Sequence, residues 1–182
     1  MTPESESNVV SRLEYVYEGW DGYNRSLVEA VCGLTREQFA FRSTADMKSV
    51  GELAWHIADG RVDWFQRIVP ERCEALRARI DARNGAAPET YDGAVVSEWL
   101  NETWEMVQAT LARWTVHDLS DTYVQPYQGK NYAVSRQWVI WRIMAHDIHH
   151  GGQLSELLAM QGIFPVELTL LGGHLTEPPQ LP

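Results

Sequence analysis

The densest chemistry in this chain of 182 residues lies in the segment His146-Asp147-Ile148-His149-His150-Gly151-Gly152-Gln153. Residues four apart stand one above the other on a helix, so a helical segment here aims the imidazoles of His146 and His150 at one point. That arrangement suits a single metal ion with metal–nitrogen bonds of about 2.0–2.1 Å. His149 is turned about 100° from His150 and points elsewhere. Two ligands from one helix grip a metal weakly, so a third should come from a neighbouring helix. His56 is the natural candidate, in Leu53-Ala54-Trp55-His56-Ile57-Ala58-Asp59. A neutral imidazole among apolar neighbours is costly to bury unless a ring nitrogen finds a partner, and a metal supplies one. His117 and His174 read as surface residues.

Three protein ligands leave coordination positions open, as catalytic sites do; a structural zinc site closes with a fourth ligand, usually cysteine. Cys32 and Cys73 fall in no ligand motif with these histidines. A water or a substrate thiol would take the open place, and a bound cation makes either one a nucleophile near neutral pH. His146-Asp147-Ile148-His149-His150 also mimics the zincin His-Glu-x-x-His string, with Asp147 as the candidate catalytic carboxylate. The shorter Asp reaches less far, and holding a ligand or a surface contact is its alternative role. Trp55 and Arg142 are candidates for orienting substrates, with core packing the alternative for the tryptophan.

These residues need helices to position them. Apolar residues at Val9, Leu13, Val16, Trp20, Tyr23, Leu27 and Val31 keep helical spacing, with Gly33 as a stop and Thr35 as the cap of a short turn. Ser49-Val50-Gly51-Glu52 is a capping box. It predicts a helix over residues 50–69, ended by Pro70 and carrying His56. Residues 71–84 either prolong it or form a surface helix. A third helix is expected over residues 95–116. Residues 122–127 and 130–134 flank Gln128-Gly129 as a small hairpin or ordered loop. The last helix is expected from Ser135 to Gly162, carrying His146 and His150, followed by an irregular tail from Phe164. The fold expected is all-α, a four-helix bundle with irregular connections and a C-terminal tail, forming one domain over residues 1–182.

The formal net charge is −10, from 25 acidic and 15 basic side chains, and no basic run occurs. Such a surface repels phosphate backbones and acidic membranes, which argues against nucleic-acid partners. No stretch approaches the roughly 18 apolar residues of a membrane span. The polar N-terminus is unlike a signal peptide, and two cysteines make no disulfide scaffold, so reduced thiols and a cytoplasmic location are expected. Eight tryptophans are divided between core and pocket or subunit interface.

The segments SVGELAWHIADGRVDWF and AHDIHHGGQLSELLAMQG resemble the signatures of the DinB/YfiT-like proteins. These combine a His in the second helix with His-x-x-x-His-x-Gly-Gln in the last. The opening helix and LTREQF are similar too, so the resemblance covers residues 8–163. It implies a four-helix bundle, commonly a homodimer, whose metal triad falls on His56, His146 and His150. The ion implied is zinc or nickel, with manganese and iron as alternatives. Some members are S-transferases using the low-molecular-weight thiols bacillithiol, mycothiol or glutathione, acting on small molecules in stress or detoxification. Others resemble metal-dependent hydrolases, and a non-catalytic metal-binding stress protein is a further alternative. Two departures stand out. The commoner His-Arg-Gly-Gln is His150-Gly151-Gly152-Gln153 here, which removes a cation expected beside the site. An acidic residue often found shortly after the first His has only Asp59 or Asp63 as stand-ins.

Overall fold

The computed structural model describes residue 13 and residues 17–83 and 92–165. The expected start of the first helix at Val9, the loop after Asn84, most of the C-terminal tail and His174 lie outside the described residues. Six helices are described: α1 (Glu18–Cys32), α2 (Arg36–Ala40), α3 (Val50–Phe65), α4 (Pro70–Arg83), α5 (Gly93–Leu111) and α6 (Arg136–Ala159). A 3-10 turn (Val116–Ser120) and two strands, β1 (Thr122–Tyr127) and β2 (Lys130–Ser135), join α5 to α6. The four long helices α1, α3, α5 and α6 make an all-α bundle. In it, α3 packs on both α6 and α5, and α5 packs on α1.

Local chemistry sets most of the boundaries. Ser49 accepts from Glu52 N while the Glu52 carboxylate accepts from Ser49 N, closing the capping box at the start of α3. Thr35 and Gln38 do the same for α2. Asp92 caps α5 and Ser135 caps α6 through side-chain bonds to Val95 N and Trp138 N. One boundary differs from expectation. Helix α3 ends at Phe65, and Pro70 opens α4 instead of ending α3. Proline has no N–H to lose at the first helical position, where that group has no partner in any case.

The hairpin pairs Thr122 with Ser135 through to Tyr127 with Lys130. Its two turn residues, Gln128 and Gly129, both have positive φ, 48° and 74°. A two-residue turn of that hand matches the twist of antiparallel strands, and glycine adopts it without strain.

Helices α3 and α6 run antiparallel along a shared face. The His56 ring meets those of His146 and His150 near one end, and Trp64 meets Trp138 at 5.1 Å toward the other. Beneath that face Ile57, Val62, Leu100, Val107, Ile140, Ile143 and Leu154 are wholly buried. The registration of the histidines is thus fixed by apolar packing on both sides of α3.

Candidate metal centre

His56 comes from the middle of α3, and His146 and His150 from successive turns of α6. Their ring centroids are 4.5–4.8 Å apart, and one ligand atom from each lies within 4.8 Å of the others. The Nε2 atoms of His56 and His146 face each other at 3.2 Å. Two nitrogens sharing a tetrahedral metal at the usual bond length stand roughly 3.3 Å apart, so the spacing fits a shared cation. His150 Nδ1 lies 2.7 Å from Gln153 Oε1. With its proton directed there, the ring keeps Nε2 as a lone-pair donor.

Burial holds the His56 and His150 rings neutral. His56 is pushed down to about 4, chiefly by desolvation and then by His146, His150 and Lys48. His150 is lowered for the same leading reason, partly offset by its bond to Gln153. Neutral imidazole is the form that binds metal. Among the described residues, no carboxylate or thiolate joins the three histidines. His149 is exposed and outside the cluster, though its ring lies 4.9 Å from that of His150. His117 is exposed as well.

The seat of His146 is made by two features that spacing alone does not reveal. The first is Gly60, one turn after His56. A Cβ there would stand 2.5 Å from His146 Cε1, so only glycine leaves room for the ring. The second is a buried polar network behind it. Asp147 is wholly buried, as is Arg61. Asp147 Oδ2 accepts from Arg61 Nε and from Trp20 Nε1, both at 2.9 Å. Arg61 Nη1 donates to Asn24 Oδ1 and to the Leu100 carbonyl. The other carboxylate oxygen, Oδ1, is 3.7 Å from His146 Nδ1. Both of these atoms are buried without a hydrogen-bond partner, an arrangement that a small closure converts into the carboxylate–histidine pair seen behind metal ligands. The site therefore fits the cation: three imidazole nitrogens converge, and a buried carboxylate backs the least exposed of the rings.

The remaining sequence candidates sit elsewhere. Asp147, the candidate catalytic carboxylate, has no surface on the face where a substrate would lie. Asp59 accepts from Trp99 Nε1 at 2.8 Å and pairs with Arg83; Asp63 pairs with Arg77 at 2.5 Å. Neither stands in for an acidic residue beside the histidines, because both are turned toward α4 and α5. Trp55 is buried between Arg83 and Trp99, as core. Arg142 is exposed on α6, one turn before His146. The departure at Gly151 has a different meaning from the one expected. A Cβ there would be 1.9 Å from Tyr23 Oη, so position 151 faces α1 and not the histidines. The glycine is required by Tyr23, whose hydroxyl reaches the Ile148 carbonyl.

A family model described as the DinB superfamily matches residues 22–154, a span that includes all three histidines and Gln153. The chain belongs to the DinB superfamily. Among solved structures, this DinB-superfamily chain is similar to a DinB-like protein from Bacillus cereus, with a TM-score of 0.58 and 17% identity over 94% of this chain and 99% of that one. At that identity the likeness is one of fold. No curated protein matches the chain.

Proposed function

We propose that this DinB-superfamily protein is a metal-dependent enzyme that joins a low-molecular-weight thiol to an electrophilic small molecule. His56, His146 and His150 would hold one divalent cation, zinc or nickel. The observation that carries this reading is the convergence of three imidazoles with no fourth protein donor among the described residues, since an open coordination position is what separates catalytic from structural sites. The cation supplies Lewis acidity that favours thiolate over thiol near neutral pH. The chain's own residues do the rest. Gly60 and the Arg61–Asp147 pair fix the His146 ring, and Gln153 fixes that of His150. Asp147 is in this account a positioning residue. In the transfer, sulfur forms a bond to an electrophilic carbon while that carbon's bond to its leaving group breaks, and the thiol proton goes to solvent.

The protein would act in the cytoplasm, as a homodimer, on a small molecule and not on nucleic acid. No helix among the described residues is long and apolar enough to cross a membrane, and the net charge of −10 opposes phosphate binding.

Elemental analysis of gently purified protein, paired with bacillithiol, mycothiol and glutathione in a thermal-shift screen, tests the proposal. About one equivalent of metal and stabilisation by one thiol, lost in His56→Ala, is the expected result. Metal-free wild type, or no response to any thiol, overturns it.

A further inference from the structure

Following the shared face of α3 and α6 away from the histidines leads to a second feature. His56, Gly60 and Trp64 recur every four residues on α3; His146, Arg142 and Trp138 do so on α6. Two turns separate the ends of each series, about 12 Å along the axis. There a cleft of about 810 Å³ opens between the C-terminal end of α3, the start of α6 and the β1–β2 hairpin. That volume falls in the range of small-molecule sites, roughly 300–1,000 Å³.

Its walls carry Trp64, Trp138, Tyr127 and Tyr132, with Arg67 and Arg142 at the polar positions. Tyr127, Tyr132 and Trp138 are exposed large aromatics. The two arginines differ. Arg67 lies 4.3 Å over the Trp64 ring and donates to the Asp63 carbonyl and to Gln125. Arg142 approaches the Trp64 ring at 5.8 Å and makes no ion pair among the described residues. No Asp or Glu is among the described residues lining the cleft, in a chain with ten more acidic than basic side chains. A guanidinium with no ion pair among the described residues, in a cleft walled by four aromatic rings, is complementary to a flat anion.

We propose that this cleft binds a planar aromatic carboxylate, its ring against the indole and phenol faces and its carboxylate on Arg142. Arg142 stands one turn from His146, so a ligand held this way reaches along the shared face toward the histidines. That the bound acid is the electrophile consumed there rests on the transferase proposal. That the cleft binds it does not.

The test uses the full chain, stripped of metal, and the His56→Ala variant. Titrating 2-naphthoate and its uncharged isostere 2-naphthamide, with tryptophan fluorescence and calorimetry as readouts, separates ring from charge. Saturable binding of naphthoate to both proteins is expected. Arg142→Met should weaken naphthoate by about tenfold or more and naphthamide much less, while Trp138→Ala should weaken both. The proposal is overturned if naphthoate fails to saturate up to its solubility limit. It is equally overturned if Arg142→Met leaves the ratio of the two affinities unchanged. Binding that survives His56→Ala supports the cleft, and it does so even where metal-loaded wild type transfers no thiol, a result that counts against the transferase proposal alone.

Discussion

His146 shows how much of a candidate ligand's seat is decided by residues outside the histidine triad. Its ring occupies space that exists only because position 60 is glycine, with a would-be Cβ 2.5 Å from Cε1. Gly60→Ala is therefore expected to displace the ring and weaken metal binding while α3 stays helical, since alanine favours helix over glycine by about 1 kcal/mol. Chelator competition beside circular dichroism reads both effects, and unchanged affinity would show that the ring tolerates the methyl. Asp147 acts from the other side. Replacing it with Asn leaves the Arg61 guanidinium buried and without its counter-ion, a change that costs about 3–5 kcal/mol in stability. It also removes the charge behind His146 Nδ1, for which a loss of metal affinity of roughly 10–100-fold is expected. Urea unfolding and competition on the folded fraction measure the two losses separately. A destabilisation under about 1 kcal/mol would mean the ion pair is not sealed from water as described.

The helices that carry these residues were legible wherever a boundary is written in local chemistry. The capping box at Ser49, the cap at Ser135 and the Gln128-Gly129 turn each depend on residues within three positions of one another, so the sequence exposes them. Ser49→Ala accordingly has a definite expected effect: about 1 kcal/mol off the unfolding free energy, with metal affinity retained in the folded protein because His56 sits two turns deeper in α3. Loss of metal binding at full stability would instead tie the cap to the site. The pair His146 and His150 was legible for the same local reason, helical spacing. What stayed hidden is tertiary. Nothing local in the sequence marks Arg61, whose role appears only when Asn24 and Asp147 are brought to it from α1 and α6. Gly151 reads as a lost cation, and Gly60 carries no local signal, until Tyr23 and His146 are packed on them. Pro70, expected to end the helix that carries His56, instead opens α4, because proline both ends and begins helices and only the turn after Phe65 decides between them.

Across the whole molecule, two effects of acid oppose each other, and their separation is a test of the centre. With a net charge of −10, the folded chain repels itself at neutral pH, and protonating carboxylates relieves that repulsion. His56 works in the other direction. Its folded value is lowered from 6.5 to about 4, by burial first and by His146, His150 and Lys48 after it. Between those two values the unfolded chain takes up a proton that the folded chain rejects. The contribution of His56 to stability is thus complete above pH 6.5 and declines as pH falls toward 4. His150, shifted the same way, adds to the decline. The difference between metal-free wild type and His56→Ala cancels the general charge effect and isolates this slope. Melting temperatures should show wild type losing ground to the variant from pH 6.5 downward, with parallel curves above it. In metal-loaded protein the cation competes with protons for the same nitrogens. The stabilisation it confers, about 2.7 kcal/mol at a hundredfold excess over Kd, should fade through the same interval. Parallel curves at every pH would mean that the histidines are solvated in the folded chain, and a metal increment indifferent to acid would place the cation on other ligands.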